Sequence, residues 1–147
     1  MSGKSPMDTA LILLGRHPLT EQQLAKKLSE SGFDPEDISE TLNRLKGWGY
    51  LNDSEYGINR INTLLSRFKS RVFVEGDLLA HGLEPELIQE LLHNYYPETL
   101  EIDIARQLLR RKSPVKRQSK TWGQAFLIRS GFSENTVHQC FPEVSST

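Results

Sequence analysis

The chain has 147 residues, 18 Lys+Arg against 19 Asp+Glu, one cysteine and 37% hydrophobic residues. That is enough for a real core, and it excludes a polycation, an acidic disordered tail, an internal disulfide and a cysteine-built metal cluster. The longest aliphatic run, residues 10–14, is too short to span a membrane and lacks the flanks of a secretory signal, so a cytoplasmic globular protein is expected.

In chain order, a flexible tail over residues 1–7 precedes a first helix at 9–15, which carries Ala10, Leu11, Leu13 and Leu14 and is closed by Pro18. Thr20 opens a second helix, with Gln23 placed for a capping box. That helix ends on Leu28, Gly32 and Phe33. Asp34 is then expected to cap a third helix, with Pro35 at its first position and Ile38 and Leu42 on one face. Asp53 begins a long helix with Tyr56, Ile58, Ile61, Leu64, Leu65 and Phe68. The earlier phrase returns as Leu78, Gly82, Leu83, Pro85, Ile88 and Leu92. After Pro97 comes a stripe of Leu100, Ile104, Leu108 and Leu109, and then the phrase once more as Leu127, Gly131, Phe132, Val137 and Phe141. Residues 112–121 read as the most loop-like stretch, and 143–147 as a tail.

Each copy places a leucine four residues before the glycine and a large apolar residue just after it. A β-branched aliphatic follows at six and another apolar residue at ten. The glycine fits a left-handed helix C-cap, and the pair at six and ten shares one face of the following helix. No sustained period-two pattern supports strands. The expected fold is all-α: three tandem three-helix, helix–turn–helix-like repeats over residues 8–50, 53–96 and 97–142, forming an elongated, curved chain.

The near-zero charge conceals a split: residues 1–103 carry −7 and residues 104–147 carry +6. Between 104 and 133 there is no acid, but there are Arg106, Arg110, Arg111, Lys112, Lys116, Arg117, Lys120 and Arg129. A smaller group, Arg67, Lys69 and Arg71, falls at the turn between the first two helices of the middle unit. Such runs are the footprint of a surface for phosphate backbone or an acidic protein, the bland alternative being a solvated helix face. Trp122 lies beside the run, as core or as a stacking platform.

Catalytic chemistry is not in view. There is no phosphate-cradling or dinucleotide glycine pattern. His17, His81, His93 and His138 are scattered without metal-ligand spacing, and the Ser-x-x-Lys matches at Ser66 and Ser113 have no partner motif. Cys140 reads as a buried structural thiol, and Glu36, Asp37 and Glu40 as partners of a helix dipole. No cofactor and no enzymatic activity are expected.

Several phrases together resemble the RecX regulatory family, modulators of the RecA recombinase. They are Ala10-Leu11-x-Leu13-Leu14, Leu24-x-x-Lys27-Leu28-x-x-x-Gly32-Phe33, Gly49-Tyr50-Leu51-Asn52-Asp53-x-x-Tyr56, Leu78-x-x-x-Gly82-Leu83-x-x-x-Leu87-Ile88, Ala105-x-x-Leu108-x-x-x-Lys112 and Phe126-Leu127-x-x-Ser130-Gly131-Phe132. The resemblance implies three helical repeats and a monomer that binds the recombinase–single-stranded DNA filament. By lying in the filament groove or capping its growing end, such a protein suppresses ATP hydrolysis, strand exchange and extension. The chain departs from the family pattern at Phe73 and His81, where cations are common, and at Gly76 inside a helix. Two other readings of the residues are a helix–turn–helix DNA-binding regulator and a repeat scaffold for another protein.

Overall fold

The computed structural model describes residues 3–112 and 119–142. Among these are nine helices and no strand: α1 (Pro6–Arg16), α2 (Glu21–Glu30), α3 (Pro35–Gly47), α4 (Asp53–Ser66), α5 (Arg71–Ala80), α6 (Pro85–Tyr95), α7 (Glu98–Arg110), α8 (Lys120–Arg129) and α9 (Glu134–Cys140). They pack in threes: α1, α2 and α3 against one another, α4, α5 and α6 likewise, and α9 against both α7 and α8.

The recurring phrase has a geometric cause. After α2, α5 and α8 the chain turns through Gly32, Gly82 and Gly131 at φ of 94°, 94° and 91°. The next N–H then reaches back to the carbonyl five residues earlier: Phe33 to Leu28 at 3.3 Å, Leu83 to Leu78 at 3.2 Å, Phe132 to Leu127 at 3.1 Å. This is the Schellman closure, in which the residue after the glycine packs on the residue that accepts its bond. The leucine four before the glycine and the apolar residue after it are therefore the two halves of one contact. Leu28, Leu78 and Leu127 are fully buried.

Helix starts follow their caps, with two differences from expectation. Thr20 and Gln23 form a capping box, and Asn52, Ser70, Ser119 and Ser133 each accept an N–H of the first turn. Asp34 occupies the N-cap position of α3 but makes no side-chain cap bond; Pro35, with φ already fixed, starts that helix instead. The first helix begins at Pro6, three residues before expectation, because Ser5 and Asp8 form a capping box. Residues 5–7 are thus ordered by their own side chains rather than part of a tail. Residues 143–147 and most of the expected loop at 112–121 lie outside the described residues.

The apolar interior is two clusters, not three. One belongs to α1–α3 and the following junction: Ala10, Leu19, Leu24, Leu28, Ile38, Leu42, Leu45 and Leu51. The other runs without a break from α4 to α9, joining Ile61, Leu64, Val74, Leu78, Ile88 and Tyr96 to Ile104, Leu127, Phe132 and Val137.

The seams between units repeat one arrangement. At the first, the Asp53 carboxylate accepts the Glu21 N–H at 2.9 Å, and the Thr20 hydroxyl donates to the His81 carbonyl at 2.6 Å. At the second, the Glu101 carboxylate accepts the Arg71 N–H at 2.8 Å, and the Gly131 turn lies against Ser70. In both, an acid on the first helix of one unit caps the second helix of the unit before it, supplying an acceptor to a helix end that lacks one. In both, a close approach requires glycine: a Cβ would fall 2.8 Å from Gln22 Cβ at Gly82 and 2.9 Å from Ser70 Oγ at Gly131, whereas Gly32 has nothing within 4 Å.

Candidate functional site

The two basic groups read from the sequence meet across the second seam. After α4, the chain turns through Phe68 at φ 59°, the one non-glycine residue with positive φ among those described. A left-handed backbone at a bulky residue costs about 1–2 kcal/mol, so something must hold it. The Lys69 N–H closes the turn on the Leu64 carbonyl at 3.1 Å, and the Tyr96 hydroxyl donates to the Lys69 carbonyl at 2.7 Å. The Arg111 guanidinium lies 5.0 Å over the Phe68 ring. Tyr96 is fully buried, and its burial, followed by the Glu101 charge, pushes the phenol far above its ordinary range, so at all working pH values it stays a donor.

The Arg111–Phe68 contact ties the end of α7 to the α4–α5 turn. On one side of it the Lys69 ammonium lies 4.6 Å from the Phe73 ring. On the other the Lys112 ammonium lies 4.9 Å over Phe126, which stacks on Trp122 at 5.0 Å with the rings 4° from parallel. Trp122 is half-buried and is thus wall and platform together. The result is three phenyl rings, each carrying a cation on its face, with Trp122 stacked on the third. Ring faces attract cations without neutralising them, by about 0.5–1 kcal/mol at exposed sites. The ion pairs formed among the described residues, Lys46–Glu21, Arg60–Asp77 and His81–Asp77, include none of these cations. Their charge remains available to a partner.

The other expected site residues are placed unequally. Arg67, Arg110, Lys120 and Arg129 are exposed, the first two next in sequence to Phe68 and Arg111 and the last two at opposite ends of α8. Arg71 is turned inward: its Nε donates to the Tyr96 carbonyl at 2.6 Å, so it braces the turn rather than facing solvent. Arg106 reaches toward α9, donating to the Gln139 carbonyl at 3.2 Å. Lys116 and Arg117 lie outside the described residues. Cys140 is half-buried, near the Ile102 carbonyl, and burial pushes its thiol up, away from a reactive thiolate.

Two supporting residues escape a reading of the sequence. Glu101 is 2% exposed and accepts from Arg71 N–H, from Ser133 Oγ at 3.1 Å and from Thr136 Oγ1. Phe73, a departure from the family pattern as a lost cation, instead seats Lys69. Among the described residues no three His, Cys, Asp or Glu side chains come together as a metal cage, and no helix is long and apolar enough to cross a membrane.

The fold and this surface define a class: an all-α repeat protein that presents ring-seated cations along a seam between units. Residues 7–45 match the domain described as "RecX, first three-helix domain". A regulatory protein RecX of Caldanaerobacter subterraneus subsp. tengcongensis is 30% identical over 139 residues, covering 95% of this chain and 70% of the relative. One from Legionella pneumophila is 29% identical over 147 residues, covering 95% of each. The crystal structure of RecX from Lactobacillus salivarius superposes with a TM-score of 0.79 at 19% identity, over 92% of this chain and 91% of that one, a likeness of fold. The chain belongs to the RecX family of regulatory proteins.

Proposed function

We propose that this chain regulates a RecA-type recombinase by binding its filament on single-stranded DNA, and that it restrains ATP hydrolysis, strand exchange and filament extension. The observation that carries this reading is the set Lys69–Phe73, Arg111–Phe68 and Lys112–Phe126–Trp122, cations seated on rings with no carboxylate of the described residues paired to them. Cations that track a phosphate backbone, interleaved with aromatic faces, are the chemistry of sequence-independent single-strand binding. Arg67, Arg110 and Lys120 extend the same surface. The protein acts by occupancy as a cytoplasmic monomer and needs no cofactor.

The test is recombinase ATPase on single-stranded DNA. Stoichiometric addition of the wild-type chain lowers hydrolysis. Replacing Arg67, Lys69, Arg111 and Lys112 together with glutamine weakens binding and flattens its salt slope, by up to about 0.7 for each lost phosphate contact. Unchanged hydrolysis with the recombinase of the same organism would overturn the reading.

A further inference from the structure

The basic row leaves a second surface unexplained. Where α1 meets the α3–α4 junction, an open groove of about 530 Å³ is lined by Leu11, Leu14, Pro18 and Tyr50, with Glu55 and Asn59 on its polar side. Its apolar side chains are not withdrawn from water: Leu11 is 42% exposed and Tyr50 63%. Trp48, 53% exposed, stands edge-on to Tyr50 at 6.3 Å and carries the Arg44 guanidinium on its face at 5.0 Å. Beyond these contacts neither ring is part of the buried core of its unit. Exposed tryptophan and tyrosine beside an apolar recess are the residues that most often dominate protein–protein affinity.

The chemistry of the groove selects its occupant. Among the described residues no cation lines it, which argues against nucleic acid, and the one formally charged lining residue is Glu55. The unit that forms most of the groove is mildly acidic, at −2 over residues 8–50. We propose that this groove holds the protein partner, through a segment that inserts a bulky aliphatic or aromatic side chain and sets a lysine or arginine against Glu55. The identity of that partner as the recombinase rests on the reading above; the groove's chemistry does not. A second copy could offer Ile128, 60% exposed on α8, with Arg129 beside it. That contact joins the front of one chain to the rear of the next, so self-association through it builds a ring or an open chain rather than a two-fold dimer, and sedimentation detects it. The molecule therefore grips its target on two faces, protein at the first seam and nucleic acid at the second.

The experiment immobilises the full chain and measures two probes: DNA-free recombinase of the same organism, and a dT oligonucleotide. Variants are Leu11→Ser with Tyr50→Ala, and separately Glu55→Lys, an exposed position that leaves the core intact. Both are expected to weaken recombinase binding about ten-fold or more, to leave oligonucleotide binding and its salt slope unchanged, and to keep a single cooperative melting transition, somewhat lowered in Glu55→Lys because the position lies in the first turn of α4. The loss in Glu55→Lys deepens as ionic strength falls. Recombinase binding equal to wild type in both variants overturns the groove as the docking site. Loss of self-association by sedimentation, with recombinase binding intact, assigns the groove to a second copy and overturns the proposal equally. If the wild-type chain binds recombinase neither free nor assembled on single-stranded DNA, the regulatory reading fails and takes the assigned partner with it.

Discussion

Glu101 is the most exacting point at which to perturb the second seam. Its carboxylate, 2% exposed, collects the Arg71 N–H at 2.8 Å on one oxygen and the Ser133 and Thr136 hydroxyls on the other. Glu101→Gln preserves volume and one acceptor. The surviving oxygen must face the Arg71 N–H, which has no other acceptor at the start of α5, so the amide nitrogen faces the two hydroxyls. These can rotate to accept, and Ser133 Oγ still receives the Thr136 N–H at 3.1 Å, while the Ser133 N–H loses its 3.5 Å bond to the same oxygen. The change thus turns charge-assisted bonds, worth about 1.5–3 kcal/mol, into neutral ones of about 1 kcal/mol, a net loss of roughly 1–3 kcal/mol. Glu101→Ala instead leaves buried donors without partners and a cavity, at about 3–5 kcal/mol. Urea denaturation gives both values. Hydrogen exchange localises them, with the Arg71 amide deprotected before those of α2 and α3. A Glu101→Gln loss below about 0.5 kcal/mol, or equal loss of protection in α2, would refute the reasoning, because the carboxylate would then not be what fastens the seam.

Two further outcomes follow from the seams. Gly32→Ala and Gly131→Ala incur the same left-handed backbone cost of about 1–2 kcal/mol, but only the second drives a Cβ to 2.9 Å from Ser70 Oγ, the cap of α5. Losing that cap adds about 1 kcal/mol, so Gly131→Ala should melt measurably lower; equal melting temperatures would contradict the close approach. Two aspartates should show opposite pH signs. Burial, ahead of the Glu21 N–H bond, raises the Asp53 pKa, so its contribution is full below the ordinary value near 3.8 and is lost as pH rises through the raised value. The two bonds from Arg60, at 2.7 and 2.8 Å, lower the Asp77 pKa, so its contribution is present above 3.8 and is lost as pH falls through the lowered value. Thermal melts of Asp53→Asn and Asp77→Asn between about pH 3 and pH 7 check this: relative to wild type, the first should gain with rising pH and the second should lose.

The parts of this architecture visible in sequence are those with a local cause. A Schellman turn joins two apolar residues five apart around a glycine, so its three copies announce themselves without any tertiary information. The capping box at Thr20 is legible for the same reason, and Asp34 shows its limit: the residue type fits the cap, but Pro35 already starts the helix. Glu101 is illegible because a carboxylate in the first turn of α7 is equally a solvent-facing dipole partner; only the donors of α5 and α9, more than a full helix away, decide that it is buried. The basic clusters were visible as composition. Their union was not, since Phe68 and Arg111 are distant in the chain and Phe68 reads as one more core residue of α4. Arg71 shows the converse, a cation counted for the surface whose guanidinium is spent on the Tyr96 carbonyl.

The division of the interior into two clusters gives the molecule unequal joints. Across the second seam the apolar core is continuous, so bending there must open packed hydrocarbon as well as the bonds of Glu101. Across the first seam the buried cores are separate, and the contacts in hand are polar, at Thr20–His81 and Glu21–Asp53, each worth about 1 kcal/mol net. Thermal motion of a few kT therefore finds its compliance at one place. The first seam is thus the weaker joint, and the unit beyond it is the one that carries Trp48 and Tyr50.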